Sequence, residues 1–153
     1  RKLQGSVLQS FDAFLLIRGM RTLFLRFEKA TENATRIAHH FEHHKFIEKV
    51  LYPGLASHPG HAIQAAQTGR LFGGMMSLIT TGTKQTAIDV ARYCNVFYPA
   101  TSLGGVESLI EHRATVSGED FPVHPNLLRL SIGIEDVNDL IDDLEQALER
   151  ANT

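Results

Sequence analysis

Cysteine occurs once in the 153 residues, at Cys94. A lone thiol forms no internal disulfide, which points to a reducing compartment and a cytoplasmic protein. No base pairs with Cys94 by spacing, so it reads as a small core residue rather than a nucleophile. There is no surplus of positive charge: 15 Lys and Arg stand against 17 Asp and Glu, for a net charge of −2. That excludes the clustered basic surface a nucleic-acid partner requires. No apolar run approaches the roughly 18 residues of a membrane span, so no membrane partner is expected. Nor is there a signal peptide, since Arg1 and Lys2 lead into polar, glycine-containing sequence. The first residue is not methionine, and the chain is read as a fragment of a longer protein.

What is present is an ordinary globular composition, 43% hydrophobic, in a length that suits one domain with a real core. Residues 1–10 read as an irregular entry segment. A helical rhythm from Phe11 to Arg26 is interrupted near Gly19. A long helix is predicted over 22–44, with Leu23, Phe27, Ala30, Ala34, Ile37, Ala38 and Phe41 on one stripe. Short strands are predicted at Ile47–Tyr52, Met75–Thr80, Val96–Tyr98, Val106–Glu111 and Leu127–Ile132. Helices are predicted at His58–Thr68, Lys84–Tyr93 and Asp136–Arg150. The polar stretch 112–125, with Gly118, Pro122 and Pro125, reads as a loop. The alternation predicts an α/β (α+β) layer: a small, mostly antiparallel sheet of about four strands, with helices over one face. The other face is left wet or packed on a further domain.

The histidines invite a metal reading and do not support one. His39 and His43 are spaced i,i+4, as are His40 and His44, and residues 39–43 fit H-x-x-E-H. That site also needs a third ligand and a cleft. These side chains flank a polar helix end running into Lys45, where cations are favourable on their own account. No metal is expected. Gly73-Gly74 lacks the lysine pattern of a phosphate loop and leads into a strand. Lys84 opens an exposed-looking helix, with nothing to desolvate it into a reactive amine.

Two residues remain. Arg129 sits among leucines in a predicted strand, where a guanidinium is costly unless an anion meets it. That anion is either a substrate carboxylate, which the guanidinium fork would hold in position and orientation, or an internal acid, Glu107 or Glu135. Ser102 precedes Gly104-Gly105 and offers a ligand a hydroxyl and neighbouring N–H groups, or is simply a turn residue.

Ser102-Leu103-Gly104-Gly105-Val106-Glu107-Ser108-Leu109-Ile110, then Leu128-Arg129-Leu130-Ser131-Ile132-Gly133-Ile134-Glu135-Asp136 and Asp139-Leu140-Ile141 with Asp143-Leu144, resemble the C-terminal domain of the Cys/Met-metabolism pyridoxal-phosphate enzymes. Phe11–Leu23 and Val50–Leu55 resemble that family's linker helix and following strand, so the likeness spans essentially the chain. The family includes cystathionine γ-synthase, the cystathionine β- and γ-lyases and the O-acyl-homoserine sulfhydrylases. The resemblance implies a fold-type I enzyme in which residues 1–153 form one substrate-clamping domain: a linker and long helix over 1–45, then sheet and helices over 46–153. A larger pyridoxal-phosphate domain of the same chain would lie upstream. It also implies that Arg129 grips the substrate α-carboxylate, with Ser102 and Leu103 in the loop beside it. The catalytic lysine and cofactor ligands would be upstream, so this fragment would bind no cofactor and be inactive alone. Full-length members are usually homotetramers. Two departures leave the amino-acid substrate open. Thr101 stands where γ-lyases carry glutamate, and His112-Arg113-Ala114-Thr115-Val116-Ser117-Gly118 stands where many members read His-Pro-Ala-x-Met-Thr-His. Two readings from other classes compete: a stand-alone small-molecule binding module with Arg129 as effector clamp, and a metal-binding helical protein using His39 and His43.

Overall fold

The computed structural model describes residue 5 and residues 7–117 and 121–153. Most of the predicted entry segment's first six residues, and Gly118 of the predicted loop, lie outside them.

Two helices come first, α1 (Ser10–Met20) and α2 (Leu23–Phe41). The break between them falls at Arg21-Thr22 rather than at Gly19, which lies inside α1. α2 stops at Phe41, three residues short of the predicted end, and His44 already turns the chain toward the sheet by donating its N–H to the Phe41 carbonyl. There follow β1 (Ile47–Leu51), α3 (His61–Thr68), β2 (Met75–Thr80), α4 (Lys84–Tyr93), β3 (Tyr98–Pro99), β4 (Leu109–His112), α5 (Arg113–Ser117), β5 (Leu127–Ser131) and α6 (Val137–Ala151). His58-Pro59-Gly60 is a turn ahead of α3, closed by the Gly60 N–H on His58 Nδ1 at 3.0 Å. α5 occupies the start of the stretch read as loop.

α4 and α6 begin where their sequences supply caps. Thr83 and Thr86 form a reciprocal capping box. Asp136 accepts the Asn138 N–H at 2.8 Å, placing an acid at the positive end of the helix.

Among the described residues the sheet has five strands in the order β1-β2-β5-β4-β3 and is mostly antiparallel, as predicted; there only the short β3 pairs in parallel, with β4. Side chains alternate between its faces. Val50, Met76, Leu78, Ile110, Leu128 and Leu130 point to one face. There they join Ile37, Phe41, Val90, Leu140, Leu144 and Leu148 of α2, α4 and α6 in one continuous core. Arg129 belongs to the opposite face, between Ser77 on β2 and Glu111 on β4.

α1 takes no part in the core. Phe11, Phe14, Leu16, Ile17 and Met20 are all more than half exposed, and Phe24 at the start of α2 is 77% exposed.

Candidate functional site

The segment 101–108 does not run as a strand, although Val106–Glu111 reads as one. β4 begins only at Leu109, because the residues before it bond sideways to the segment after β5. The Gly104 N–H donates to Ser131 Oγ at 3.0 Å, and the Ile134 N–H to the Val106 carbonyl at 2.9 Å. Ser108 is completely buried: its hydroxyl donates to Glu135 Oε2 and accepts the Gly133 N–H, both at 2.9 Å, while its own N–H meets Glu135 Oε1. Gly104 has φ +76°, which a residue with a side chain adopts reluctantly. At Gly133 a Cβ would run into the Val106 carbonyl oxygen. Behind this seam, the buried Asn33 of α2 donates to the carbonyls of Gly133 and Glu135 at 3.1 and 2.9 Å. The loop is therefore anchored to the sheet end at several points.

Arg129 reaches this loop. Its Nη1 donates to the Thr101 carbonyl at 2.9 Å and to Glu111 Oε1 at 3.1 Å. Its side chain keeps 21% of its surface open to solvent. The internal acid is thus Glu111, directly across the β4–β5 ladder, and neither Glu107 nor Glu135. Glu135 is engaged by Ser108, and Glu107 is exposed beside Gly105. Glu111 is buried, its side chain 3% exposed, and Oε1 also accepts from Arg113 Nη1 at 2.9 Å. Its other oxygen, Oε2, is buried without a hydrogen-bond partner among the described residues.

A guanidinium carries five donors, and pairs side-on with a carboxylate through Nε and Nη2. Both protein acceptors of Arg129 fall on Nη1, so among the described residues the side-on fork has no partner. Ser102 and Leu103 follow Thr101 directly and are exposed. Leu103 also borders a cleft of about 230 Å³, shared with Gly104, Gly105, Ser131, Phe27 and Gly73. The arrangement can bind an anion and hold its orientation.

Glu111 and Arg113 had no role in the sequence reading. The sequence carries half of the signal: an acid next to the apolar pair Leu109-Ile110 asks for a cation, and only the strand register sets Arg129 opposite it. Asn33 carried no such signal.

Other candidates separate from this place. His40 Nε2 and His44 Nε2 both meet Glu145, at 2.6 and 3.1 Å, which ties the end of α2 to α6. Among the described residues no group of three metal-ligating side chains converges. No helix there is long and apolar enough to cross a membrane. Burial, with the nearby Asp143 carboxylate, pushes the Cys94 thiol far up, away from the reactive thiolate. A pyridoxal-phosphate imine needs a desolvated lysine. Lys29 and Lys45 have side chains 40% and 64% exposed, and Lys49 and Lys84 are exposed as well. These lysines do not suit that cofactor.

The fold, a five-stranded mixed sheet with helices on one face among the described residues, is shared with part of solved fold-type I pyridoxal-phosphate enzymes. The chain superposes on cystathionine γ-lyase from yeast with a TM-score of 0.91 and 36% identity, covering 99% of this chain and 41% of that one. It also superposes on cystathionine γ-synthase from Xanthomonas oryzae in complex with aminoacrylate and cysteine, with a TM-score of 0.85, 43% identity and coverage of 93% and 38%. Residues 1–149 match the model of the Cys/Met metabolism PLP-dependent enzymes, and the chain belongs to that family. Cystathionine γ-synthase of Mycobacterium tuberculosis is 48% identical over 149 residues, which are 94% of this chain and 38% of that protein. The chain therefore spans about two fifths of the length of the relatives it matches.

Proposed function

We propose that this chain is the C-terminal, substrate-closing domain of a pyridoxal-phosphate enzyme of sulfur amino-acid metabolism. The reaction is a β or γ elimination or replacement of the cystathionine γ-synthase and lyase type. The observation that carries this reading is the open side-on fork of Arg129, beside the anchored 101–105 loop, in a chain 48% identical to a cystathionine γ-synthase.

Bound upstream, the cofactor supplies the electron sink for the chemistry. This domain supplies orientation. Arg129 receives the amino-acid α-carboxylate through Nε and Nη2, and the flat two-point contact fixes which bond at the α-carbon is aligned for reaction. Ser102 and Leu103 form the wall beside that carboxylate. The full-length protein carries its cofactor domain on the same chain, works in the cytoplasm and assembles as a homotetramer. The isolated domain is inactive.

Arg129→Ala in the full-length enzyme tests the clamp. It removes one partner of a partly buried charge contact, a loss of about 2–5 kcal/mol, so KM for the amino-acid substrate rises at least about 30-fold. A KM within twofold of wild type removes Arg129 from the site.

A further inference from the structure

We infer that Glu111 is a positioning residue for Arg129. It holds the guanidinium by Nη1 and keeps the Nε/Nη2 fork turned outward to the substrate carboxylate, while Arg113 holds Glu111 by the same oxygen. The inference rests on the clamp reading above and adds to it the residues that make the clamp selective for an acid.

A long arginine side chain ordinarily samples many rotamers, and a fork that wanders loses the advantage of two parallel hydrogen bonds. Arg129 is restrained at one nitrogen by two acceptors on different elements, the Thr101 carbonyl of the loop and Glu111 Oε1 of β4. Both lie on the same Nη1, so the restraint uses none of the side-on fork. Glu111 itself is fixed: it is buried, paired across the ladder with Arg129, and held on the same oxygen by Arg113 Nη1. Two guanidiniums and one carboxylate leave the cluster with one positive charge in excess. An arriving carboxylate brings it to neutrality, whereas the corresponding amide does not. A merely structural Arg–Glu pair would stabilise the fold without favouring an acid over its amide.

The test is therefore a preference rather than an affinity. Glycine and glycinamide are titrated into the full-length holoenzyme by calorimetry, for wild type, Arg129→Ala, Glu111→Gln and Glu111→Asp, with each unfolding midpoint recorded. Glu111→Gln raises the excess charge of the cluster to two, which by charge alone favours the acid. The loss of the fixed fork is expected to outweigh it and to lower the preference for glycine by about tenfold, the scale on which supporting partners of ligating groups act. Saturating turnover should fall much less than KM rises. Glu111→Asp, which restores the charge on a shorter stem, should lie between the two, and it carries the test alone if Glu111→Gln does not fold. A preference within about twofold of wild type in Glu111→Gln, or in Glu111→Asp where only that variant folds, while Arg129→Ala abolishes it, overturns the positioning role and leaves the clamp. An unchanged preference in Arg129→Ala overturns the clamp itself, and the inference with it.

Discussion

The two faces of the sheet are held by different physics, although they alternate residue by residue along the same strands. On the helix-covered face, Leu78, Ile110, Leu128 and Leu130 are at most 1% exposed and share one apolar core with side chains of α2, α4 and α6. Their contribution is proportional to area and indifferent to direction. On the other face, β5 presents Arg129 and Ser131, each tied to the 101–108 loop by a directed bond, and β4 presents the carboxylate that Arg129 needs. There the energy lies in matched pairs, and removing one member deprives the other of its directed bond. One strand thus carries both the stability of the domain and the placement of its site, with a register slip of one residue enough to exchange them.

Substitutions on the two faces should separate these roles. The largest loss of stability is expected from Leu130→Ala, at the centre of the dry face. Removing a fully buried leucine side chain costs about 2–5 kcal/mol, which urea unfolding measures directly. Binding of the amino-acid substrate by the protein that remains folded should be unchanged. A reduced affinity at full folding would mean the faces are not independent. Gly133→Ala should do less to stability, about 1–3 kcal/mol of overpacking, and more to binding. Its new Cβ meets the Val106 backbone, which can move only by dragging the 101–108 loop off the sheet end. A normal KM in Gly133→Ala would show that the anchoring seam is not what places Thr101 against Arg129.

The same contrast explains what could be read in advance. Regular apolar spacing marked the helices and strands of the dry face to within a few residues: β2 and α4 fall at the predicted bounds, and β5 differs at its end by one. Periodicity reports burial, and burial is what builds that face. The loop segment defeated it. Val106 to Glu111 is apolar enough to extend as a strand, yet Ser108 and Gly133 divert its first residues into a side-chain seam whose partners are 25 and 27 positions away in sequence. The Arg129 partner was missed for a related reason. Glu107 and Glu135 lie next to the glycine motifs, whereas Glu111 becomes the neighbour of Arg129 only once the strand register is known. The short helix α5 follows β4 directly, with no residue between them to mark a boundary.

The smallest expected effect comes from the dry side and concerns charge. Cys94 ends α4, donates its thiol to the Val90 carbonyl at 3.4 Å, and is packed against the core beside Asp143. Burial first, and the Asp143 carboxylate second, push the thiol up from its ordinary value of 9.0. The folded protein therefore keeps the proton over a range in which the unfolded chain has given it up. Such a group contributes its full stability below the unfolded value, and that contribution is lost as pH rises through the alkaline range toward the folded value. Between pH 8 and pH 10 the wild type should lose about 1 kcal/mol more than Cys94→Ala, whatever the alanine costs at neutral pH. Tyrosine and lysine ionisation is common to both proteins and cancels in the difference. Parallel stability curves for the two over that interval would show that water reaches the thiol, and that the dry face is open at the end of α4.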